Sequence, residues 1–219
     1  MKPSASPIVL ITGFEPFGGE ILNPSWEAVR VLQGARICAH RIETRCLPVV
    51  FGEALACLEK AIAGTKPVLV ICVGQAGGRE QISLERIAIN VDDARIPDNA
   101  GQCPVDVAVV ADGPAGLFST LPIKRLLMEL QRAGIPAEIS QTAGTFVCNH
   151  VFYGLMHRLK KSRGVRGGFV HIPYSPEQAA LHPDAPSLPV ETVTAALQII
   201  VRASLKNSPD VKFGAGSTH

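Results

Sequence analysis

Short apolar runs alternate with segments of helical periodicity along most of this chain. Residues 8–12 and 68–73 are apolar runs of strand length, and the second is apolar at every position, as in a strand covered on both faces. Residues 24–32 and 51–62 carry apolar side chains at helical spacing. The alternation predicts an α/β fold in one three-layer domain, residues 1–219, with helices on both faces of a mixed, mostly parallel central sheet.

The same pattern predicts further elements and one long interruption. Strands are expected at residues 36–47, 137–140 and 168–172, and helices at residues 121–132, 148–160 and 190–205. The pattern breaks between residues 74 and 117, and loops of this size usually carry function. Because ligands bind beyond the carboxyl ends of strands in an open α/β sheet, the loops after residues 11, 73, 140 and 172 are expected to meet at one site.

Composition narrows the class of protein. With 219 residues, 47% of them hydrophobic, the chain is long enough to bury a full core. A net charge of +2 and the absence of a long basic run argue against a nucleic-acid partner. No apolar run near the first residues is long enough for a signal peptide or a membrane span, so we expect no membrane partner and a cytoplasmic location.

Cys148 stands out among six cysteines that show no CxxC pair. A glycine-bearing turn delivers it to the predicted start of a helix, where unpaired N–H groups and the helix dipole favour a thiolate and lower its pKa. The same N–H groups suit the oxyanion that forms when a thiolate attacks a carbonyl carbon. The alternative to a nucleophile is a cysteine that packs as a small apolar residue in the core. A role in thiol exchange is weakly supported, because no second cysteine lies near Cys148 in the sequence.

A nucleophilic thiol needs a base, and two histidines compete for that role. His171 ends the predicted strand 168–172 and is followed by residues that fix the backbone. His150 lies only two residues from Cys148, but neighbours two apart on a helix point to different faces. Of the other four histidines, His157, His182 and His219 are interpreted as surface or packing residues. Since none of them has metal-ligand spacing, we expect no metal and no cofactor.

A carboxylate is expected to orient the base, and the sequence offers Glu80 or Glu85. Glu85 lies in the apolar stretch 82–89, where a carboxylate without a partner would be costly to bury. The pattern is equally consistent with the exposed face of an edge strand, with Arg86 as a neighbour. The residues alone leave both interpretations open.

The glycine-rich loop 13–19 follows the first predicted strand but lacks the lysine of a phosphate-binding loop and the glycine spacing of a dinucleotide site. Phe14 and Phe17 indicate instead a flat apolar slot for a small ligand, or plain packing of the loop onto the core.

Three aspartates follow in the long interruption: Asp92, Asp93 and Asp98. Arg95 and Pro97 interrupt the regular oxygen spacing of a calcium loop. We expect a structured turn with a buried contact between an arginine and a carboxylate.

These features occur together in collinear blocks that cover most of residues 8–180. The blocks are TGFEPFGG (12–19), NPSW (23–26), GQAG (74–77), ISLERIAIN (82–90), DDARIPD (92–98), SQTAGTFVCN (140–149) and HIP (171–173). In these blocks the chain resembles the pyroglutamyl peptidase I (pyrrolidone-carboxylate peptidase) family of cysteine peptidases. The resemblance implies the removal of an N-terminal pyroglutamyl residue from peptides through a thioester on the cysteine, and assembly as a homotetramer.

The resemblance also assigns roles to residues. It implies a triad of Cys148, His171 and Glu85, which decides between Glu85 and Glu80. It implies that Arg95 and the Cys148 amide stabilise the oxyanion. The residues implied to line the substrate slot are Phe14, Phe17, Gln75, Ile96, Phe146 and Val147. The alternative from another class is a catalytically silent binding module that holds a small amide between the two phenylalanines of the 13–19 loop.

Overall fold

A seven-stranded mixed sheet forms the centre of the protein in the computed structural model, which describes residues 6–162 and 164–216. The strands are β1 (Ile8–Phe14), β2 (Arg36–Ile37), β3 (His40–Leu47), β4 (Leu69–Gln75), β5 (Ile82–Glu85), β6 (Ile87–Ile89), β7 (Gly116–Phe118), β8 (Ala137–Ser140) and β9 (Arg166–Ile172). The helices are α1 (Pro24–Arg30), α2 (Glu53–Thr65), α3 (Ile123–Arg132), α4 (Val147–Leu159), α5 (Pro176–Ala179) and α6 (Val190–Ser204).

The strand order is β2-β3-β1-β4-β9-β5-β8. Strands β3, β1, β4 and β9 are parallel, whereas β5 runs antiparallel to β9 and β8 runs parallel to β5. The prediction of a mixed, mostly parallel sheet is confirmed. Strand β8 runs opposite to the four parallel strands. The loop after Ser140 nevertheless reaches the loop after β4, where Arg79 Nη2 donates to the Thr142 carbonyl at 2.9 Å.

Helices cover both faces, which confirms the three-layer prediction. Helices α1, α3 and α6 pack over one face and share a core with alternate residues of the central strands. Helices α2 and α4 pack over the other face, where the second core contains Phe152 and Phe169. Strand β4 lies in the middle of the sheet and all its residues are buried, as its continuous apolar run predicts. Within the described part of the chain, no helix has both the length and the hydrophobicity to cross a membrane.

Two predicted elements differ from the structure. The single strand expected at 36–47 is a hairpin, in which β2 and β3 pair around Cys38 and Ala39 at φ 47° and 63°. Neither cysteine nor alanine is typical of a turn with positive φ, so the sequence pattern indicates one continuous strand. The interruption at 74–117 contains β5, β6 and the start of β7: β5 joins the main sheet, and β6 and β7 form a separate antiparallel pair.

Candidate active site

His171 and Glu85 come from neighbouring antiparallel strands, β9 and β5. Ser83 lies opposite His171 in the register, so Glu85, two residues further along β5, presents its side chain on the same face. The His171 Nδ1 to Glu85 Oε1 distance is 2.7 Å. Glu85 has no exposed surface, which excludes the exposed edge-strand interpretation, whereas Glu80 is exposed. With Nδ1–H donating to the carboxylate, Nε2 is the nitrogen left to take a proton.

Cys148 is the second residue of α4, as the sequence predicts to within one residue. Phe146 precedes the helix with extended backbone and provides no side-chain cap, and the amide of His150 is the first to reach an intrahelical carbonyl, that of Phe146, at 3.1 Å. The amides of Val147, Cys148 and Asn149 therefore have no intrahelical acceptor. They form a cluster of donors beside the sulfur.

The sulfur of Cys148 lies against the strand that neighbours His171. A Cβ placed on Gly74 would lie 2.8 Å from Cys148 Sγ and 2.9 Å from the Phe169 ring, so only glycine leaves room for the thiol. Gly74 is the register partner of His171 across β4 and β9, and the rings of Phe169 and His171 are 4.8 Å apart. Cys148 and His171, the candidate nucleophile and base, thus lie over the same strand pair, β4 and β9.

The charge state of this pair differs from the one expected from the helix start alone. Burial raises the pKa of the Cys148 thiol to about 12, and the charge of Glu85 adds to the effect. Burial also lowers the pKa of His171, against the opposing effect of the hydrogen bond that its Nδ1–H donates to Glu85. The prediction of a lowered thiol pKa is therefore wrong for the resting protein. Both directions favour a neutral thiol beside a neutral imidazole, so attack requires proton transfer to His171.

Among the described residues, no hydrogen bond joins the sulfur to the imidazole, although His171 is already bonded to Glu85. In proteases without substrate such bonds are often long and tighten in the complex. The position of the first turn of α4 therefore governs how readily the proton is transferred.

Two buried side chains fix that first turn. Asn149 accepts a hydrogen bond from the Ile89 amide at 3.0 Å and donates to the Ile89 carbonyl at 2.9 Å. His150 Nδ1 lies 2.8 Å from Asp92 Oδ2, and its Nε2 accepts from the Gly52 amide at 3.1 Å. Because both ring nitrogens of His150 are engaged, it anchors the helix and is not the base.

His157 and His182 lie outside the candidate site, as predicted for surface or packing residues. His157 stacks on Tyr153, and the half-exposed His182 stacks on Tyr174 with 4.7 Å between ring centroids and lies 2.6 Å from Glu20 Oε1 through its Nε2. His219 lies outside the described residues.

The turn at 92–98 is held without an arginine, so the predicted contact between an arginine and a carboxylate is wrong. Asp98 is buried and accepts from the backbone amides of Phe51, Ala100 and Gln102 at 2.8 to 2.9 Å. Amide donors satisfy the carboxylate and leave Arg95 exposed to solvent at the surface of the turn.

A cavity of about 390 Å³ opens beside this turn, and its walls contain three of the residues implied by the resemblance. It is lined by Asp93, Arg95, Ile96, Gly144, Thr145 and Phe146. Two hydrogen bonds, from the Asp93 amide to the Thr145 carbonyl at 2.9 Å and from the Thr145 hydroxyl to the Asp93 carbonyl at 2.7 Å, hold the two walls together. The cavity therefore adjoins the turn that leads into Cys148.

Aromatic rings continue from this cavity toward the loop after β1. Phe17 and Phe146 lie 6.3 Å apart between ring centroids, and Phe51 meets Phe146 edge-on at 5.3 Å. Phe14 is only 2% exposed and packs near Phe169 at 6.3 Å. Phe17 and Phe146 are thus partly accessible, whereas Phe14 belongs to the buried core.

A family model described as pyroglutamyl peptidase matches residues 8–207 of the chain. The chain belongs to the pyroglutamyl peptidase family. It is 58% identical over 211 residues to the pyrrolidone-carboxylate peptidase of Enterobacter sp. (strain 638), covering 96% of this chain and 99% of the relative. It is 59% identical over 211 residues to the pyrrolidone-carboxylate peptidase of Klebsiella pneumoniae (strain 342), with the same two coverages.

Solved structures agree with this family membership. The crystal structure of Bacillus amyloliquefaciens pyroglutamyl peptidase I matches with a TM-score of 0.90 at 50% identity, covering 94% of this chain and all of that one. The pyrrolidone carboxyl peptidase from Thermococcus litoralis matches with a TM-score of 0.91 at 37% identity, covering 95% and 99%.

Four of the six residues that the resemblance implies for the substrate slot do not line this cavity: Phe14, Phe17, Gln75 and Val147. The side chain of Val147 is 1% exposed and belongs to the core under α4. Gln75 follows Gly74 in β4, so strand alternation directs its side chain to the opposite face of the sheet from Cys148. There its Oε1 accepts from Gln178 Nε2 at 3.1 Å. Their contact with substrate stays a prediction.

Sequence reasoning missed two residues of the site. The helical pattern at 51–62 indicates only that Phe51 is an apolar position. Its packing on Phe146 is a tertiary contact between residues that are distant in sequence. Arg79 lies in the polar turn after β4, and its Nη1 is 2.7 Å from Glu85 Oε1. Spacing gives no signal for this contact, although an unpaired buried carboxylate at Glu85 demands a cationic neighbour.

Proposed function

We propose that this protein is a cysteine omega-peptidase that removes the N-terminal pyroglutamyl (5-oxoprolyl) residue from peptides. The observation that carries the proposal is the placement of Cys148, at the start of a helix, over the strand pair that presents His171 bonded to the buried Glu85. Membership in the pyroglutamyl peptidase family, whose relatives are named for this activity, supports the substrate.

The first half of the reaction forms an acyl-enzyme. His171 Nε2 takes the proton of the Cys148 thiol as the sulfur attacks the carbonyl carbon that joins pyroglutamate to the next residue. Glu85, hydrogen-bonded to Nδ1, holds the ring in this orientation and stabilises the imidazolium that forms. The free amides at the start of α4, that of Cys148 among them, donate to the oxyanion, and the exposed Arg95 adds positive charge from the cavity wall.

The first half is complete when His171 gives its proton to the departing amine, the C–N bond breaks, and a thioester on Cys148 remains. The second half regenerates the thiol. His171 then takes a proton from water, the hydroxide adds to the thioester carbonyl, and pyroglutamate leaves as the sulfur regains the proton.

The site suits a neutral lactam and not an open-chain terminus. Faces of Phe17 and Phe146 offer apolar contact to a flat five-membered ring. Among the side chains that line the cavity, Asp93 is the one carboxylate, and it lies on the wall with the cation Arg95. A charged amino terminus placed between the rings would lose its hydration without a partner, at a cost of several kcal/mol.

The test is cleavage of a pyroglutamyl-amide reporter by purified protein. Wild type is expected to release the reporter amine, and Cys148→Ala is expected to remove nearly all turnover because the nucleophile is lost. Cys38→Ala serves as the matched control, since Cys38 is exposed in the turn between β2 and β3 and does not line the cavity. Equal turnover by wild type and Cys148→Ala would overturn the proposal, as would saturable ligand binding without any turnover.

A homotetramer in a cytoplasmic setting, and one peptidase domain over residues 1–219, complete the proposal. The family match over residues 8–207 supports the single domain. Light scattering of the purified protein, giving four times the chain mass of 23.2 kDa, is the result expected for the tetramer.

A further inference from the structure

Arg79 shares the carboxylate oxygen that orients the base. Glu85 Oε1 lies 2.7 Å from His171 Nδ1 and 2.7 Å from Arg79 Nη1, so one oxygen accepts from both partners. The second oxygen, Oε2, is buried and has no hydrogen-bond partner among the described residues. The position of the carboxylate therefore depends on the Arg79 contact as much as on the imidazole.

The other arm of the same guanidinium reaches the loop that delivers the nucleophile. Arg79 Nη2 donates to the Thr142 carbonyl at 2.9 Å. That carbonyl also accepts from the Ser140 hydroxyl at 2.9 Å, at the start of the turn that runs from β8 to Cys148. The planar guanidinium thus connects the carboxylate of the triad with the chain leading to the thiol, through two bonds of fixed mutual geometry.

We propose that Arg79 is a positioning residue of the peptidase reaction, which holds Glu85 against His171 and ties that carboxylate to the loop leading to Cys148. The inference rests on the proposed function, because it concerns the same triad. A lysine in its place would supply the charge but not the two-armed fork.

The charges around His171 predict the direction in which its pKa changes when Arg79 is replaced. The ionisable groups that face the imidazole are Glu85, Arg79 and Cys148. Burial lowers the pKa of His171 most, the Glu85 hydrogen bond raises it, and the charge of Arg79 lowers it. If Arg79 becomes neutral, the attraction between Glu85 and the imidazolium is unopposed, so the pKa of His171 rises. As the pH falls, activity that needs the neutral imidazole is therefore lost at a higher pH than in wild type.

The experiment compares pH profiles of kcat/KM for wild type, Arg79→Met, Arg79→Lys and the control Arg86→Met. Arg86 adjoins Glu85 in sequence, and its side chain forms no hydrogen bond or ion pair among the described residues. Arg79→Met is expected to lower kcat by about tenfold or more with little change in KM, and to move the acid limb up by about one pH unit. Arg79→Lys is expected to keep the acid limb near the wild-type pH with a reduced kcat, and Arg86→Met to match wild type.

An acid limb in Arg79→Met that coincides with that of wild type would overturn the proposal, and so would an equal shift in Arg86→Met. If Arg79→Met does not fold, Arg79→Gln, which keeps an N–H donor without the charge, is expected to show the same upward shift. If wild type does not cleave the reporter, the proposed function fails. In that case the pH dependence of Cys148 alkylation by iodoacetamide still measures the effect of Arg79 on Cys148 and His171. A profile that is the same in wild type and Arg79→Met would refute the role of Arg79.

Discussion

Replacing Glu85 with glutamine tests how the proposed triad works, because the substitution keeps the shape of the side chain and one acceptor oxygen but removes its charge. Glu85 is fully buried, and its Oε1 accepts from His171 and Arg79. The imidazolium that forms during attack loses a hydrogen bond to a charged acceptor, an interaction worth about 1.5–3 kcal/mol. This corresponds to a decrease of about 10- to 150-fold in kcat. KM is expected to change little, because Glu85 lies beneath the imidazole and away from the cavity.

The assay is steady-state cleavage of the pyroglutamyl-amide reporter by Glu85→Gln, with circular dichroism to show that the variant is folded. Glu80→Gln is the matched control, since Glu80 is a nearby carboxylate that is exposed. A folded Glu85→Gln variant with kcat within threefold of wild type would refute the role of Glu85, and so would an equal loss in Glu80→Gln.

Further results are expected from other variants and from the wild-type pH profile. In steady-state kinetics, Phe17→Ala raises KM by about tenfold without unfolding the protein. In urea denaturation, Phe14→Ala lowers the free energy of unfolding by about 3–5 kcal/mol, because Phe14 is buried. His150→Leu lowers the free energy of unfolding by about 1–3 kcal/mol, since Asp92 loses its partner; an unchanged urea midpoint would contradict this. Asp210→Ala lowers the free energy of unfolding by about 1 kcal/mol, because Asp210 accepts hydrogen bonds from two amides at the start of α3. A melting curve equal to that of wild type would contradict this prediction. For the wild-type protein, the acid limb of kcat/KM lies below pH 6.5, the ordinary pKa of histidine, because burial lowers the pKa of His171; a limb above that pH would contradict the stated direction.

Periodicity predicted the layers of the fold because it reports directly which side chains are buried. The run at 68–73 became the fully buried β4, and the strand at 137–140 was found at Ala137–Ser140. The hairpin at Cys38 was missed because its turn uses residues that carry no turn signal. The direction of β8 was missed because alternation along one strand does not reveal its orientation relative to the others.

The site was predictable in its residue types but not in its electrostatics. The resemblance selected Glu85 over Glu80, and the structure then showed Glu85 bonded to His171. The raised pKa of Cys148 follows from burial against Gly74 and Phe169, which lie on two other strands, so the local helix start gave the wrong sign. The Arg79 contact was hidden for the same reason, since it depends on how the turn after β4 folds back over β5.

The most direct test of the central claim is to trap the acyl-enzyme. Protein mixed with excess pyroglutamyl ester is quenched in acid within the first turnover and digested, and the peptide that contains Cys148 is examined by mass spectrometry. The account predicts that this peptide gains one pyroglutamyl group as a thioester that hydroxylamine removes, and that the modification is lost in Cys148→Ala. An acyl group on another residue, or turnover with no modification of Cys148 at any quench time in a variant slowed by Glu85→Gln, would contradict it.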